Sequence, residues 1–192
     1  MRTLQVIQNE VKSCTKCGLS SSRTNTVFSR GNPQAPLCFV GEAPGEEEDL
    51  QARPFVGRSG KLLDQTLTKL GLDPEKDIYV CNIIKCRPPS NRRPTDEEVT
   101  SCIDYLEEQL KLVNPKVIVA LGATAMNGLI NTDLGITKVH GQFFKPLLAS
   151  LPFGKIIMPS YHPSYVLRNG SSGPVYEDFV KDLQTAINKS KE

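Results

Sequence analysis

The sequence lacks long apolar runs and has almost no net charge. Its 192 residues include 23 Lys plus Arg and 21 Asp plus Glu, which gives a formal net charge of +2. No apolar segment approaches the ~20 residues that a membrane-spanning helix needs, and the N-terminal residues lead into a mixed polar segment rather than a signal peptide. We therefore expect an intracellular protein that does not enter a membrane. The charge balance neither demands nor excludes a nucleic acid partner.

Repeats and low-complexity segments are absent as well. At 192 residues and 39% hydrophobic composition, the chain can bury one good core, and nothing in its length requires a second one. We therefore expect a single domain that spans residues 1–192.

Four short apolar runs alternate with helical patterns. The runs are 37–40, which ends at Gly41, then 78–84, 117–121 and 155–158. Strands separated by helices of this length imply right-handed crossovers and a parallel sheet. The predicted fold class is α/β, a three-layer sandwich in which helices flank a central four-stranded parallel sheet. Residues 139–145 are predicted to form an outlying strand.

The predicted helices are defined by their caps and apolar spacing. Thr95 and Glu98 have the spacing of a capping box and open a helix that we predict to run to about Val113. Ser59 is predicted to cap an earlier helix, which Gly71 ends.

Polar residues follow each predicted strand. Glu42 and Gly122 come directly after two of the strands, Asn82 lies near the end of another, and His162 follows the last. Because open parallel sheets bind ligands outside the carboxyl ends of their strands, we expect these residues to line one crevice. The stretch 37–49, LCFVGEAPGEEED, would form its floor.

The chain has six cysteines, which in a reducing compartment are rarely paired as disulfides. Cys38 and Cys81 lie inside apolar strands and are assigned to the core. The other four, a C-x2-C pair and two isolated residues, are Cys14, Cys17, Cys86 and Cys102. Four thiolates suit zinc or an iron-sulfur cluster, and the spacing alone leaves both open, together with idle thiols.

Four motifs carry a resemblance to a known family. GEAPGEEED, RPFVG, CNIIKCRPP and HPSYVLRN occur in this order, and with the four cysteines they make the chain closely resemble the family 4 uracil-DNA glycosylases. This is the iron-sulfur class common in thermophilic archaea and bacteria, and the resemblance covers nearly the whole chain. It implies a DNA repair hydrolase that flips uracil out of DNA, hydrolyses its N-glycosidic bond and leaves an abasic site for base excision repair.

The resemblance also implies a cofactor and a partner. The cofactor is a 4Fe-4S cluster on Cys14, Cys17, Cys86 and Cys102, regarded as structural in that family. The partner is uracil-containing DNA, double- or single-stranded, and we expect a cytoplasmic, nucleoid-associated monomer. Two other functions stay open at this point: a non-catalytic nucleic-acid-binding module with a metal-stapled loop, and a nucleotide-binding protein whose GEAPG turn holds phosphate.

Phe55 and Asn82 are candidates for recognising a flipped base, which must enter a snug pocket before it can be hydrolysed. Phe55 offers an apolar face for stacking, and a plug in the core is the equal alternative. Asn82 can accept from uracil N3–H and donate to O4, whereas cytosine presents the reverse pattern. An Asn at a strand end is more often a turn residue, but its place opposite the acidic turn favours the functional interpretation.

His162 and the acidic residues are candidates for the chemistry. Uracil departs best as an anion, so a donor near its O2 stabilises charge that develops in the transition state. His162, which matches the histidine of the family's HPS motif, fits this role as a neutral donor, and His140 is assigned no part. Glu42 is the first candidate and Glu48 the second for stabilising the positive sugar or orienting water. A solvated acidic turn is the commoner fate of an EEED run.

The resemblance implies further pocket residues. Glu48 would lie near uracil C5 and exclude the methyl group of thymine. Family 1 enzymes have an aspartate where this chain has Ala43, which puts a strong general base in question. The expected uracil-binding set is Gly41, Glu42, Ala43, Glu47, Glu48, Phe55, Asn82 and His162.

Basic residues around Cys86 form the one patch that could hold phosphates, with solvated surface as the alternative. After the HPS motif, the superfamily wedges an apolar side chain into the gap left by the flipped base, and Tyr165, Val166 and Leu167 are the candidates. The expected DNA-binding set is Lys85, Arg87, Arg92, Arg93, Ser164, Leu167 and Arg168.

Overall fold

The computed structural model describes residues 2–148, 151 and 154–192. Within these ranges the chain forms five strands and eight α-helices, with two short 3-10 turns. The strands are β1 Arg30–Gly31, β2 Leu37–Gly41, β3 Ile78–Asn82, β4 Val117–Leu121 and β5 Ile156–Ser160. The helices are α1 Leu4–Lys12, α2 Glu46–Gln51, α3 Arg58–Lys69, α4 Asp96–Val113, α5 Ala123–Leu129, α6 Ile136–Val139, α7 Pro163–Arg168 and α8 Pro174–Ser190.

The sheet has the strand order β1-β3-β2-β4-β5. The four long strands β2 to β5 are parallel, as the sequence predicts, and β1 adds a short antiparallel edge through the pairs Arg30 with Val80 and Gly31 with Tyr79. Two residues are too few to produce an alternating pattern, so this fifth strand has no signature in the sequence. The α/β fold class is confirmed, with one edge strand more than expected.

Two apolar cores cover the two faces of the sheet. Strand residues alternate between the faces, as the pleat requires: Cys38 and Val40 face one core, whereas Phe39 faces the other. The first core contains Leu106 and Leu110 of α4 together with α5 residues, and the second contains residues of α3 and α8. Helices therefore lie on both faces, which gives the predicted three layers.

The capping box at the start of α4 is confirmed. The Thr95 hydroxyl accepts from Glu98 N at 3.2 Å, and Glu98 Oε2 accepts from Thr95 N at 2.8 Å. The helix ends at Val113, and Asn114 follows with a left-handed φ of 54°. Both ends of this helix therefore agree with the sequence.

Two local predictions are wrong. The expected strand over residues 139–145 is absent from this described part of the chain, where α6 ends at Val139 and only Phe144 forms an isolated bridge with Ile157. Ser59 does not cap α3, because the N-cap is Gly57 and Ser59 lies inside the first turn. None of the helices in the described ranges is long and apolar enough to cross a membrane.

Candidate active site

The carboxyl ends of β2 and β3 lie side by side and begin an open pocket. Gly41 and Asn82 are partners in the parallel register, and the pocket is also lined by residues of α2, the 55–59 segment and the start of α7. The members that matter below are Glu42, Ala43, Glu47, Glu48, Phe55, Asn82, Arg92, His162 and Ser164. The structure thus brings together the side chains that the sequence predicts for one crevice.

Gly41 is the point of closest approach in this pocket. A Cβ atom at this position would lie 2.5 Å from Asn82 Oδ1 and 2.5 Å from Phe55 Cζ. No side chain fits there, so the glycine lets the Phe55 ring and the Asn82 amide approach each other over the end of β2. The Phe55 ring also lies 5.9 Å from the His162 ring, tilted by 34°. Phe55 is buried and lines the pocket. Its position is compatible both with stacking on a base and with filling the core.

The Phe55 loop has an unusual backbone that several groups hold in place. Phe55 has a φ of 55°, which is costly for an aromatic residue and persists only where the surroundings enforce it. The buried Arg30 guanidinium donates to Pro54 O at 2.9 Å and pairs with Asp64 at 2.5 Å and Glu75 at 3.0 Å. These bonds tie the loop to β1 and α3 from below.

Glu48 holds the same loop from above. Its Oε1 accepts from Gly57 N at 2.7 Å and Val56 N at 2.9 Å, and its Oε2 accepts from Gly45 N at 3.1 Å. Both carboxylate oxygens are therefore occupied by main-chain donors. A carboxylate bound in this way is a poor general base, and the geometry favours a role in positioning Phe55.

Asn82 is nearly inaccessible, with 2% of its surface exposed. Its Oδ1 is the one buried side-chain polar atom without a hydrogen-bond partner in the part of the chain that the structure describes. Buried acceptors are nearly always paired, so an orphan acceptor in a pocket indicates a ligand that donates to it. Uracil N3–H is such a donor.

His162 caps α7 through its own side chain. Its Nδ1 accepts from Ser164 N at 3.1 Å and lies 2.8 Å from Ser164 Oγ. Because a main-chain N–H can only donate, Nδ1 carries no proton and the imidazole proton lies on Nε2. Burial, with a smaller contribution from Arg168, lowers the pKa of His162 to about 4. The ring is a neutral N–H donor at pH 7.

Glu42 lies directly beyond the end of β2, where the main chain is fixed by Ile84 N donating to its carbonyl at 3.2 Å. Its Oε2 accepts a short hydrogen bond from the hydroxyl of Thr124, near the start of α5. One carboxylate oxygen is thereby fixed, and the group faces both this pocket and a neighbouring cavity that Thr124, His162 and Arg168 also line. The contact with Thr124 was not predicted, because 82 residues separate the partners.

The acidic run after the GEAPG turn forms helix α2 rather than the solvated turn considered above. Its first turn contains Glu46, Glu47, Glu48 and Asp49. Glu47 is exposed and accepts from Gln51 at 3.2 Å, whereas the buried Asp49 accepts from Thr24 N and Asn25 N. Four carboxylates at a helix start repel a phosphate, so this turn does not suit a nucleotide.

The expected basic patch is only partly present. Lys85 is 1% exposed and its Nζ donates to Asn82 O and Gln109 Oε1, so it does not belong to the surface and its predicted contact with phosphate is wrong. Arg92 pairs with Glu98 through two hydrogen bonds, and Arg87 lies 3.7 Å from Glu46.

Arg93 and Arg168 are exposed and line the neighbouring cavity.

Helix α7 carries the three wedge candidates that follow the HPS motif. Val166 is fully buried, and Leu167 is half-buried because it packs partly against the second core. Tyr165 is 36% exposed, and its ring lies 5.4 Å from the Tyr161 ring beside the same cavity. Of the three candidates, Tyr165 is the most exposed.

Four cysteines line a second, separate cavity of about 350 Å³ including its mouth: Cys14, Cys17, Cys86 and Cys102. Cys14 and Cys17 come from the segment after α1, whereas the other two come from the loop after β3 and from α4. Burial, with the neighbouring thiols contributing, raises the pKa of Cys86, and burial raises that of Cys102 to about 11. The Arg23 guanidinium donates to Cys86 Sγ at 3.1 Å and partly opposes this rise in pKa.

The four thiols come together in one cavity. Among the described residues, no three Cys, His, Asp or Glu side chains form a group that could hold one metal ion. Four thiolates are a donor set that both zinc sites and iron-sulfur clusters use. Cys38 and Cys81 are fully buried in the strands, as predicted.

Comparison with known proteins agrees with this arrangement. Residues 28–184 match the model of the uracil DNA glycosylase superfamily. A type-4 uracil-DNA glycosylase of Thermotoga maritima is 47% identical over 170 residues, which cover 88% of this chain and 85% of that protein. One from Archaeoglobus fulgidus is 44% identical over 100% of this chain and 96% of its own length, and one from Sulfurisphaera tokodaii is 42% identical over 97% and 86%. The chain therefore belongs to the uracil DNA glycosylase superfamily, and within it to the type-4 enzymes.

Proposed function

We propose that this protein removes uracil from DNA by hydrolysing the N-glycosidic bond, which releases free uracil and leaves an abasic site for base excision repair. The observation that carries the proposal is the buried, unpaired Oδ1 of Asn82 at the base of a pocket walled by Phe55. Uracil supplies the missing donor with N3–H and an acceptor with O4, whereas cytosine presents an acceptor and a donor at these positions. Phe55 provides the face on which the flipped base stacks.

His162 acts on the leaving group. Its Nδ1 is occupied by Ser164 N, so its Nε2–H is the donor for uracil O2. Negative charge develops on the base as the glycosidic bond breaks, and the hydrogen bond strengthens with it. The lowered pKa keeps the imidazole neutral at pH 7, so Nε2–H donates to the developing anion without being transferred to it.

Glu42 acts on the sugar. The departing base leaves a deoxyribose with oxocarbenium character, which a nearby carboxylate stabilises while it orients the attacking water. The Thr124 hydroxyl fixes one oxygen of Glu42 and leaves the other to meet the water or the sugar. Ala43 contributes no acid or base beside it. Of the two carboxylates considered, the free oxygen favours Glu42, whereas the three main-chain bonds of Glu48 favour a wall near uracil C5.

The pocket is completed by groups that touch the base without reacting. Gly41 lies directly behind Asn82 and Phe55, Ala43 lines the pocket, and the exposed Glu47 lines it from α2. A wall built by Glu48 and the Phe55 loop excludes the methyl group that distinguishes thymine from uracil, because closely packed pockets reject even one extra carbon.

The DNA contacts lie on both sides of the pocket. Arg93 and Arg168 are exposed cations that can hold phosphates, joined by Arg87 and Arg92 where their carboxylate partners yield to DNA, and by Ser164 at the start of α7. Tyr165 is the surface side chain placed to fill the gap left by the flipped base, and Leu167 supports the helix that carries it. The protein acts on double- or single-stranded DNA as a monomer in the cytoplasm, at the nucleoid.

Cys14, Cys17, Cys86 and Cys102 hold a 4Fe-4S cluster in this proposal. The supporting observations are the four-thiol donor set in one cavity and the cations Arg23 and Lys85 beside it. When bound, the cluster supplies strong iron–thiolate bonds that join three separate chain segments. It takes no part in breaking the glycosidic bond.

An abasic-site assay tests the central proposal. A single-turnover reaction on an oligonucleotide with one uracil should give an alkali-labile abasic site, and the same oligonucleotide with thymine or cytosine should stay intact. Cleavage of the thymine strand at a similar rate, or no reaction with uracil by protein of full iron content, would refute the assignment.

A further inference from the structure

Lys85 has contacts that neither the phosphate role nor the metal site explains. Its side chain is almost completely buried, and its Nζ donates to Asn82 O at 2.7 Å and to Gln109 Oε1 at 2.7 Å. The Nζ also lies 5.9 Å from the Phe28 ring. A lysine this deep in a small protein is rare, and its cost must be offset by specific interactions.

Gln109 is oriented for this contact. Its Nε2 donates to Phe28 O at 3.2 Å and to Tyr79 Oη at 2.7 Å, so its Oε1 must face Lys85. All four residues are buried, and every polar atom of this network has a partner. A buried hydrogen-bond network restricts the arrangement of its members. Lys85 is therefore held in one rotamer, with its ammonium under the end of β3.

The ammonium has neutral acceptors only: a main-chain carbonyl and a side-chain amide. Two hydrogen bonds therefore offset part of the cost of burying this side chain, and Lys85 also lines the cysteine cavity. The Lys85 main-chain N–H also bonds to Cys102. The same residue thus touches the metal site with its backbone and the end of β3 with its side chain.

The acceptor at the end of β3 belongs to the residue that recognises uracil. Asn82 O is held by Lys85 on one side of the chain, while Ile83 N donates to Gly41 O at 2.9 Å on the other side. The peptide that carries the Asn82 side chain is clamped between these two bonds. Small displacements of a recognition group lower rates steeply, because reacting geometries tolerate little error.

We propose that Lys85 is a positioning residue for uracil recognition: its buried side chain, held by Gln109, clamps the Asn82 peptide, and because the same residue lines the cysteine cavity it couples that cavity to base selection. This inference rests on the proposed function, since it assigns to Lys85 the orientation of the amide that reads uracil. Under this inference, the cysteine site affects the position of Asn82 in the pocket and takes no part in the chemical step.

A double-mutant cycle tests the coupling. Lys85→Met keeps the length of the side chain and removes the charge and both hydrogen bonds, so uracil excision in single turnover should fall about 10- to 100-fold. In an Asn82→Ala background the same change should cost less than threefold, because the group that Lys85 positions is already gone. Equal losses in both backgrounds would overturn the proposal. The matched control is Lys16→Met, which removes an exposed lysine that also lines the cysteine cavity, and it should leave excision unchanged.

Two further measurements separate positioning from metal retention and from misfolding. Iron per chain should be the same in Lys85→Met and the parent, whereas hydrogen exchange at the Ile83 and Ile84 amides should be at least tenfold faster in the variant. Iron that falls in step with activity, or unchanged amide exchange, would overturn the proposal. If Lys85→Met does not fold, Gln109→Met keeps the lysine, removes one of its two acceptors, and should accelerate the same amides.

The activity of the parent protein distinguishes a failure of the proposed function from a failure of the role of Lys85. A parent without uracil excision would refute the proposed function, whereas an active parent with an equally active Lys85→Met variant would refute only the role of Lys85.

Discussion

Residues 82–86 contribute both to the pocket proposed for uracil and to the cysteine cavity. The two sites nevertheless differ in how their polar groups are paired. In the pocket, nearly every reactive group already has a protein partner: Ser164 for His162, Thr124 for Glu42 and three main-chain donors for Glu48. In the cavity, four thiols face one another with raised pKa values at Cys86 and Cys102, beside two cations. The pocket is preorganised by the chain, whereas the cavity is lined by thiols that we propose to hold the cluster.

Cys86→Ser should cause the largest change. It should lower the stability of the protein rather than act directly on the chemical step. Removal of one ligand releases the metal group and the loop after β3, so the brown colour should vanish and the free energy of unfolding should fall by several kcal/mol. Iron analysis and thermal unfolding measure both effects. Cys81→Ala is the matched control, since it should keep the iron and lose only packing stability. Loss of iron in Cys81→Ala would show that the ligand set is wrong.

His162→Ala should give the largest loss in chemistry while the cavity stays intact. The missing donor should lower the single-turnover rate about 100- to 1,000-fold, as for other donors to a developing anion. Binding to uracil-containing duplex should weaken much less, because the hydrogen bond strengthens only in the transition state. Equal losses in rate and binding, measured by rapid quench and by anisotropy, would reduce His162 to a binding residue.

Asn82→Asp should test base selection. A carboxylate can accept from the cytosine amine and cannot donate to uracil O4, and a buried unpaired group costs about 1–3 kcal/mol. Uracil excision should therefore drop at least tenfold, and trace excision of cytosine should emerge first from mispaired or single-stranded sites, where flipping costs least. A variant with parental uracil activity and full iron content would place base recognition elsewhere.

Thr124→Val should produce a smaller loss, confined to the sugar side of the reaction. Without the hydroxyl, the Glu42 carboxylate is free to rotate, and the rate should fall about tenfold with little change in DNA affinity. Thr124→Ser should restore most of the rate, since it keeps the donor and loses only a methyl group. Failure of the serine variant to recover would indicate a packing role for Thr124.

The pH dependence should be the smallest effect, and it belongs to the pocket alone. His162 has a pKa of about 4 in the folded protein against an ordinary value of 6.5, so between these values the unfolded chain binds more protons. Folding stability from this group is therefore lost as the pH falls from 6.5 towards 4, by about 1.4 kcal/mol at pH 5.5. In His162→Gln, the free energy of unfolding measured in urea should change less between pH 6.5 and pH 5.5 than it does in the parent. The rate of the parent should show no break near pH 6.5.

The predictions of secondary structure that succeeded rest on local sequence signals. Strand β4 was predicted over residues 117–121 and is found there, because five apolar residues between Pro115 and Gly122 leave few alternatives. The capping box at Thr95 was equally local. The missed strand β1 has two residues, and the predicted strand at 139–145 has apolar residues that pack as a short helix and a single bridge instead. Short segments take their conformation from their neighbours.

Charged side chains were the least predictable feature. Lys85 stands in the sequence among Arg87, Arg92 and Arg93, and nothing local distinguishes it from them. It is buried because a carbonyl at the end of β3 and a glutamine of α4 happen to meet it there. Glu48 likewise stands in an acidic run, and its three donors come from two different loops.

The sequence by itself determined the parallel sheet, the edge at which ligands bind, and the residue types that can read uracil and hold a metal group, because apolar period, strand ends and cysteine spacing are local properties. Only the tertiary structure decided what each polar group does. Thr124 reaches Glu42 across 82 residues, the Glu48 carboxylate accepts from the main chain of the Phe55 loop, and Lys85 bonds to Asn82 O. Hydrogen-bond partners are chosen by distance in space, and sequence patterns carry no record of that distance.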